Sequence, residues 1–184
     1  MTEEPVDRLR ETTVRSEAIY DGRIVSLRID EVELPDGGRS QREIVSHPGA
    51  VAAVPLTDAG DVLLVRQWRH PAGKALVEIP AGTREPDECI EDTLRRELVE
   101  EIGYSAGRIE HLAEIYTAPG YTSELISVYL ARQLLPAEGE ADFDEKIEVV
   151  QLPLTEAIDL CFNGGIRDGK SVAGLLLVAR LLDI

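Results

Sequence analysis

The chain has 184 residues, 43% of them hydrophobic, enough to bury a real core and to fit one domain with a small appendage. A formal charge of −16 argues against nonspecific binding to nucleic acid or to an anionic membrane, both of which call for a basic surface. Cys89 and Cys161 lie far apart with no Cys or His at ligand spacing, which disfavours zinc and makes two reduced thiols the expectation.

The N-terminus, MTEEPVDRLRET, is acidic and polar and lacks the apolar core of a signal peptide, and no apolar run reaches bilayer-spanning length. A cytoplasmic location is expected. From about Thr13 to Val45 the chain carries two or three strand-like runs, with Val25, Leu27 and Ile29 alternating with polar residues and Pro35-Asp36-Gly37-Gly38 marking a turn. Three such strands are near the limit of independent stability, so this unit needs another surface to pack on. His47-Pro48-Gly49 is the expected joint between an N-terminal antiparallel unit, residues 1–47, and a main domain, residues 48–184.

Ala50 to Leu56 and Val62 to Trp68 are expected to pair as a hairpin around Asp58-Ala59-Gly60-Asp61, followed by a strand from Leu76 to Pro80. Pro86 suits a first helical position and Gly103 a helix stop, which predicts a helix from about Pro86 to Ile102. Leu112 to Tyr116, Leu125 to Ala131 and Ile147 to Leu152 read as strands. Thr155 to Phe162 and the segment from Gly169-Lys170-Ser171 through Leu182 read as helices. The class is α/β with a mixed sheet, without internal repeats, and Pro136 to Glu145 is the loosest segment.

The predicted Pro86–Ile102 helix carries the most chemistry. With Ile90 at zero, Leu94, Leu98 and Ile102 fall at about 40°, 80° and 120° on a helical wheel, while Glu97, Glu101 and Glu100 fall near −20°, +20° and −80°. The three carboxylates therefore stand on or beside the rim of the apolar stripe. Buried charge is costly and clustered carboxylates repel, so the site calls for a cation, and hard oxygen ligands suit Mg²⁺ or Mn²⁺.

Gly82, five residues, Glu88, seven residues, then Arg96-Glu97-Leu98-Val99-Glu100-Glu101-Ile102-Gly103-Tyr104 resembles the signature of the Nudix hydrolases. Tyr104 stands where that family more often has an aliphatic residue. Outside the signature, Arg42-Glu43, His47-Pro48-Gly49-Ala50, Arg66-Gln67-Trp68-Arg69, Glu78-Ile79-Pro80-Ala81-Gly82 and Ala118-Pro119-Gly120-Tyr121-Thr122-Ser123-Glu124 look like the ADP-ribose pyrophosphatase branch. Pro119, 15 positions after Tyr104, sits close to that branch's marker proline.

The resemblance implies a Nudix-type α/β/α sandwich whose N-terminal unit is exchanged across a homodimer, and metal-dependent cleavage of ADP-ribose or a related nucleoside diphosphate sugar. It implies metal ligands at Glu97, Glu100, Glu101 and the Ala81 carbonyl, with Gly82 giving close approach. Arg96 and Glu88 would orient the glutamates. The general base would come from an acidic loop, Glu145 first and Glu148 second. Arg42 and Arg69 would contact the diphosphate, Glu124 the ribose side, and Tyr20 or Trp68 would stack on the base. The three histidines receive no role. Two other readings follow from the same resemblance: hydrolysis of a nucleoside triphosphate or dinucleoside polyphosphate, and a Nudix domain that senses a nucleotide metabolite without cutting it.

Overall fold

A computed structural model describes residues 8–85, 88–139 and 146–184. The chain divides into two units, one running to Pro48 and including Ala118–Glu124, the other comprising Gly49–Thr117 and Leu125–Ile184.

The N-terminal unit is an antiparallel sheet in the order β1 (Thr12–Asp21), β2 (Ser26–Glu33), β3 (Arg39–Ser46). The expected turn forms between β2 and β3. Gly37 takes φ +83°, and the Asp36 carboxylate accepts from the Gly38 N–H at 2.9 Å. The segment 118–124 adds to this unit through Val45, whose N–H donates to the Tyr121 carbonyl at 2.8 Å and whose carbonyl accepts from the Ser123 N–H at 3.0 Å.

In the main unit, β4 (Ala50–Pro55) and β5 (Asp61–Arg69) do not form the expected hairpin ladder. They meet at one bridge, Leu56 to Val62, and then enter different sheets. The β4 strand pairs with β7 (Ala81–Thr83) and, in parallel, with β9 (Leu125–Pro136), which in turn pairs with β8 (Tyr104–Tyr116). The β5 strand lies between β6 (Lys74–Glu78) and β10 (Ile147–Pro153). The physical reason lies in the composition of β4. Every one of its residues is buried, as in a strand covered on both faces, whereas a two-stranded hairpin would leave one face wet.

Both faces are covered by helices. On one side Val51, Ala53, Leu63 and Val65 pack with Leu94, Leu98 and Ile102 of α1 (Ile90–Ile102). On the other, Ala52, Val54, Val62 and Leu64 pack with Leu154 and Ala157 of α2 (Leu154–Asn163) and Leu175 and Val178 of α3 (Gly169–Leu181). This is the expected α/β/α layering. Leu94 and Leu98 have no exposed surface, and each contributes about 2 kcal/mol of burial.

The helix α1 begins at Ile90, four residues later than the predicted start at Pro86, which lies with Asp87 outside the described residues. Cys89 is extended at φ −66° and ψ 139°. The Glu88 side chain is tied down from inside the helix, accepting from Thr93 Oγ1 at 2.8 Å, so residue 88 precedes the first turn. The other end is as predicted. Gly103 adopts φ 72° and its N–H caps the Leu98 and Val99 carbonyls, a left-handed turn that glycine takes without strain.

Candidate active site

The acidic rim of α1 is the centre of the site. Glu101 is 7% exposed, in line with Leu94, Leu98 and Ile102, and its Oε2 accepts from the Ala81 N–H at 2.9 Å. That bond ties the start of β7 to the helix. Gly82 comes closer still: a Cβ placed there would lie 1.9 Å from the Glu97 carboxyl carbon, so any side chain at this position would displace that carboxylate.

Arg96 organises the other carboxylates. Its Nη1 donates to Glu97 Oε1 at 2.8 Å and to Glu100 Oε2 at 2.9 Å, while Nε and Nη2 reach Glu88 at 3.3 and 3.1 Å. The bonds to Arg96, and next the one from Thr93, hold the Glu88 carboxyl below the usual carboxylate range. In turn Glu88, ahead of Glu97 and Glu100, makes the Arg96 guanidinium harder to deprotonate. Glu97 and Glu100 are 14% and 28% exposed, intermediate between core and surface.

Among the described residues, no three His, Cys, Asp or Glu side chains converge closely enough to hold a metal ion as they stand. Glu97 and Glu100 instead share one nitrogen of Arg96. The donor set nevertheless suits a hard divalent cation. Glu97, Glu100 and Glu101 offer carboxylate oxygens from adjacent turns, and the Glu97 carboxylate takes up the place that a Cβ on residue 82 would fill.

An open cavity of about 500 Å³ has Glu100 and Glu101 on one wall, with Arg66, Trp68, Lys146 and Glu148 among its other lining residues. Trp68 is 62% exposed there. Glu148 on β10 stands directly across from Arg66 on β5, and the two form an ion pair at 2.7 Å. Glu145 lies outside the described residues. Arg69 is placed on Glu78, with Nε and Nη2 each 2.8 Å from one carboxylate oxygen.

The remaining expected residues belong to the N-terminal unit. Arg42 on β3 pairs with Glu11 at 2.5 and 3.0 Å. Glu124 lies 3.7 Å from His47 Nδ1, and Tyr20 on β1 is 59% exposed. Arg66 and Lys146 have no role assigned from the sequence, nor do the buried Glu78 and Lys170 with the partly exposed Asp168. Glu78 could have been found, since a lone carboxylate in the apolar run Ala75-Leu76-Val77-Glu78-Ile79 demands a partner. Arg66 and Lys146 carry no such signal.

Comparison with known proteins agrees with this arrangement. Residues 46–174 match the NUDIX domain, and residues 11–45 match the nucleoside diphosphate sugar hydrolase N-terminal domain. The chain is 42% identical over 165 residues to an ADP-ribose pyrophosphatase of Bacillus subtilis (strain 168), covering 89% of each protein. It is 43% identical over 164 residues to a methanol dehydrogenase activator of Bacillus methanolicus, covering 88% of this chain and 89% of that one. The crystal structure of an ADP compounds hydrolase superimposes with a TM-score of 0.84 at 25% identity, covering 95% of both chains. With the signature residues gathered on α1 and its preceding loop, and with likeness over most of its length, the protein belongs to the Nudix hydrolase family.

Proposed function

We propose that the protein hydrolyses the pyrophosphate bond of a nucleoside diphosphate sugar, ADP-ribose first among them, to a nucleoside monophosphate and a sugar phosphate. The observation that carries this reading is the acidic rim of α1, with Glu97 against Gly82 and with Glu100 and Glu101 lining a cavity that Trp68 also lines. The match of residues 11–45 to a nucleoside diphosphate sugar hydrolase N-terminal domain supports the substrate class.

Glu97, Glu100 and Glu101 would hold divalent cations, with the Ala81 carbonyl beside them; Mg²⁺ is the proposed ion and Mn²⁺ the substitute. Bound there, such an ion neutralises phosphoryl oxygens and acidifies a water. The rest falls to the chain itself. Arg96 bonds Glu88, Glu97 and Glu100 at once and so keeps the glutamates oriented. Arg69 and Arg42 supply guanidinium groups for the diphosphate, Glu124 contacts the ribose side, and Trp68 or Tyr20 gives a flat face for the base. Glu145 is the proposed base, with Glu148 as the alternative. Glu145→Gln lowers turnover by a factor on the order of 10² to 10⁴; a loss under about threefold removes Glu145 from the role.

The proposed assembly is a cytoplasmic homodimer, because a three-stranded unit such as β1–β3 needs a partner surface to be stable. A panel of ADP-ribose, other nucleotide sugars including GDP-mannose, nucleoside triphosphates and dinucleoside polyphosphates tests the substrate, read by phosphate-coupled detection. ADP-ribose is expected to lead. Faster turnover of a triphosphate overturns the substrate class, and tight binding without product in Mg²⁺ overturns catalysis.

A further inference from the structure

Glu78 ends β6 with a side chain only 1% exposed, and it is shared by two cations. Arg69 covers both its oxygens and remains 40% exposed. Lys170, at the start of α3 and 8% exposed, donates to the same Oε2 and to Asp168 Oδ2 at 2.9 Å. The backbone around Lys170 is pinned on both sides. Asp168 accepts from the Ser171 N–H at 3.0 Å and from Ser171 Oγ at 2.5 Å, while Ser171 Oγ accepts from the Ile79 N–H at 2.8 Å.

Two cations therefore meet two carboxylates, and the four differ in freedom. Lys170 and Glu78 are enclosed, whereas Arg69 is the exposed member, and the charge of Glu101 on the acidic rim also acts on it. If Arg69 were the sole partner of Glu78, its departure would strand a buried carboxylate, a heavily penalised state. With Lys170 in place the carboxylate stays paired.

We propose that Lys170 is a positioning residue for Arg69: by keeping Glu78 paired, it lets Arg69 exchange that carboxylate for the diphosphate of a substrate. The inference rests on the assignment of Arg69 to the diphosphate given above. It differs from a purely structural staple between α3 and β6, in which loss of either end would only weaken the fold.

The test uses the full chain and two readouts, KM for ADP-ribose with Mg²⁺ and the calorimetric Kd for inorganic pyrophosphate. Lys170→Met is expected to raise both about tenfold or more, because Arg69 is then locked to Glu78, while kcat stays within about threefold. Adding Glu78→Gln removes the charge that would be stranded and returns both constants to within about threefold of wild type. A folded Lys170→Met protein with unchanged KM and Kd overturns the proposal. So does a double variant that binds more weakly than Lys170→Met alone, the outcome a staple would give. Wild-type protein that binds pyrophosphate but leaves ADP-ribose intact would defeat the proposed substrate, and the pyrophosphate constants would still decide the role of Lys170.

Discussion

Arg96 on α1 and Arg69 on β5 each hold carboxylates in the main unit, but in opposite charge balance. Around Arg96 one guanidinium faces Glu88, Glu97 and Glu100, with Glu101 alongside on the same helix. Around Glu78 two cations face two carboxylates, and the set closes on itself. The balanced cluster can enclose its central carboxylate, with Glu78 only 1% exposed while Arg69 keeps 40%, because no net charge is left to solvate. The acidic cluster stays partly open, with Glu100 at 28%, and keeps a surplus that a diffusible cation can answer. Similar side chains thus cancel one another's charge in one place and leave a negative surplus in the other.

Charge removal from the acidic cluster should have the largest effect. Glu97→Gln is expected to cut kcat/KM by about 10³-fold with little change in thermal midpoint, and chelation of divalent ions should abolish activity altogether. An active Glu97→Gln enzyme would erase the contrast between the two clusters. Gly82→Ala comes next. Its Cβ would fall 1.9 Å from the Glu97 carboxyl carbon, at the far end of a flexible side chain, so Glu97 would be displaced while the fold survives. Turnover should drop by about tenfold or more, with the urea midpoint nearly unmoved.

The balanced cluster is expected to show itself through pH. Burial pushes the Glu78 carboxyl up, but the bonds and charges of Arg69 and Lys170 outweigh it and hold the group below its ordinary value. The folded value thus lies below the unfolded one, so this stabilisation is complete above the ordinary glutamate range near about 4.3 and is lost as pH falls through the lower folded value. Urea midpoints followed downward from neutral pH should decline more steeply for wild type than for the Glu78→Gln, Lys170→Met double variant. Parallel curves would mean that Glu78 is not held as described. The smallest effect is expected at Trp68, where replacement by Ala should raise KM a few-fold, about what one aromatic contact supplies, without changing kcat.

The candidate site is legible wherever spacing encodes geometry. Helical periodicity placed Glu101 on the apolar rim, and it is buried there beside Leu98 and Ile102. Gly103 announced its own left-handed cap. Two features escaped for physical reasons. Strand pairing is non-local, so the short turn at Asp58–Asp61 suggested a hairpin although β4 finds its neighbours in β7 and β9. Helix entry at Ile90 is accompanied by a bond between Thr93 and Glu88 that no propensity describes. Lys170 lies 92 positions from Glu78, and such a pairing becomes visible only once the chain is folded.

The first strand carries one more consequence. All ten residues of β1 are exposed, and among the described residues β2 is its sole neighbour in the sheet. An exposed edge of this length is a template onto which extended polypeptide can add, and Val14 and Ile19 give it an apolar tack, although register shifts at both positions break the ladder. Arg15 and Glu17, paired at 3.6 Å, interrupt that tack with charge, the device by which sheet proteins discourage runaway stacking. Preparations that neutralise these two side chains should therefore turn cloudy first.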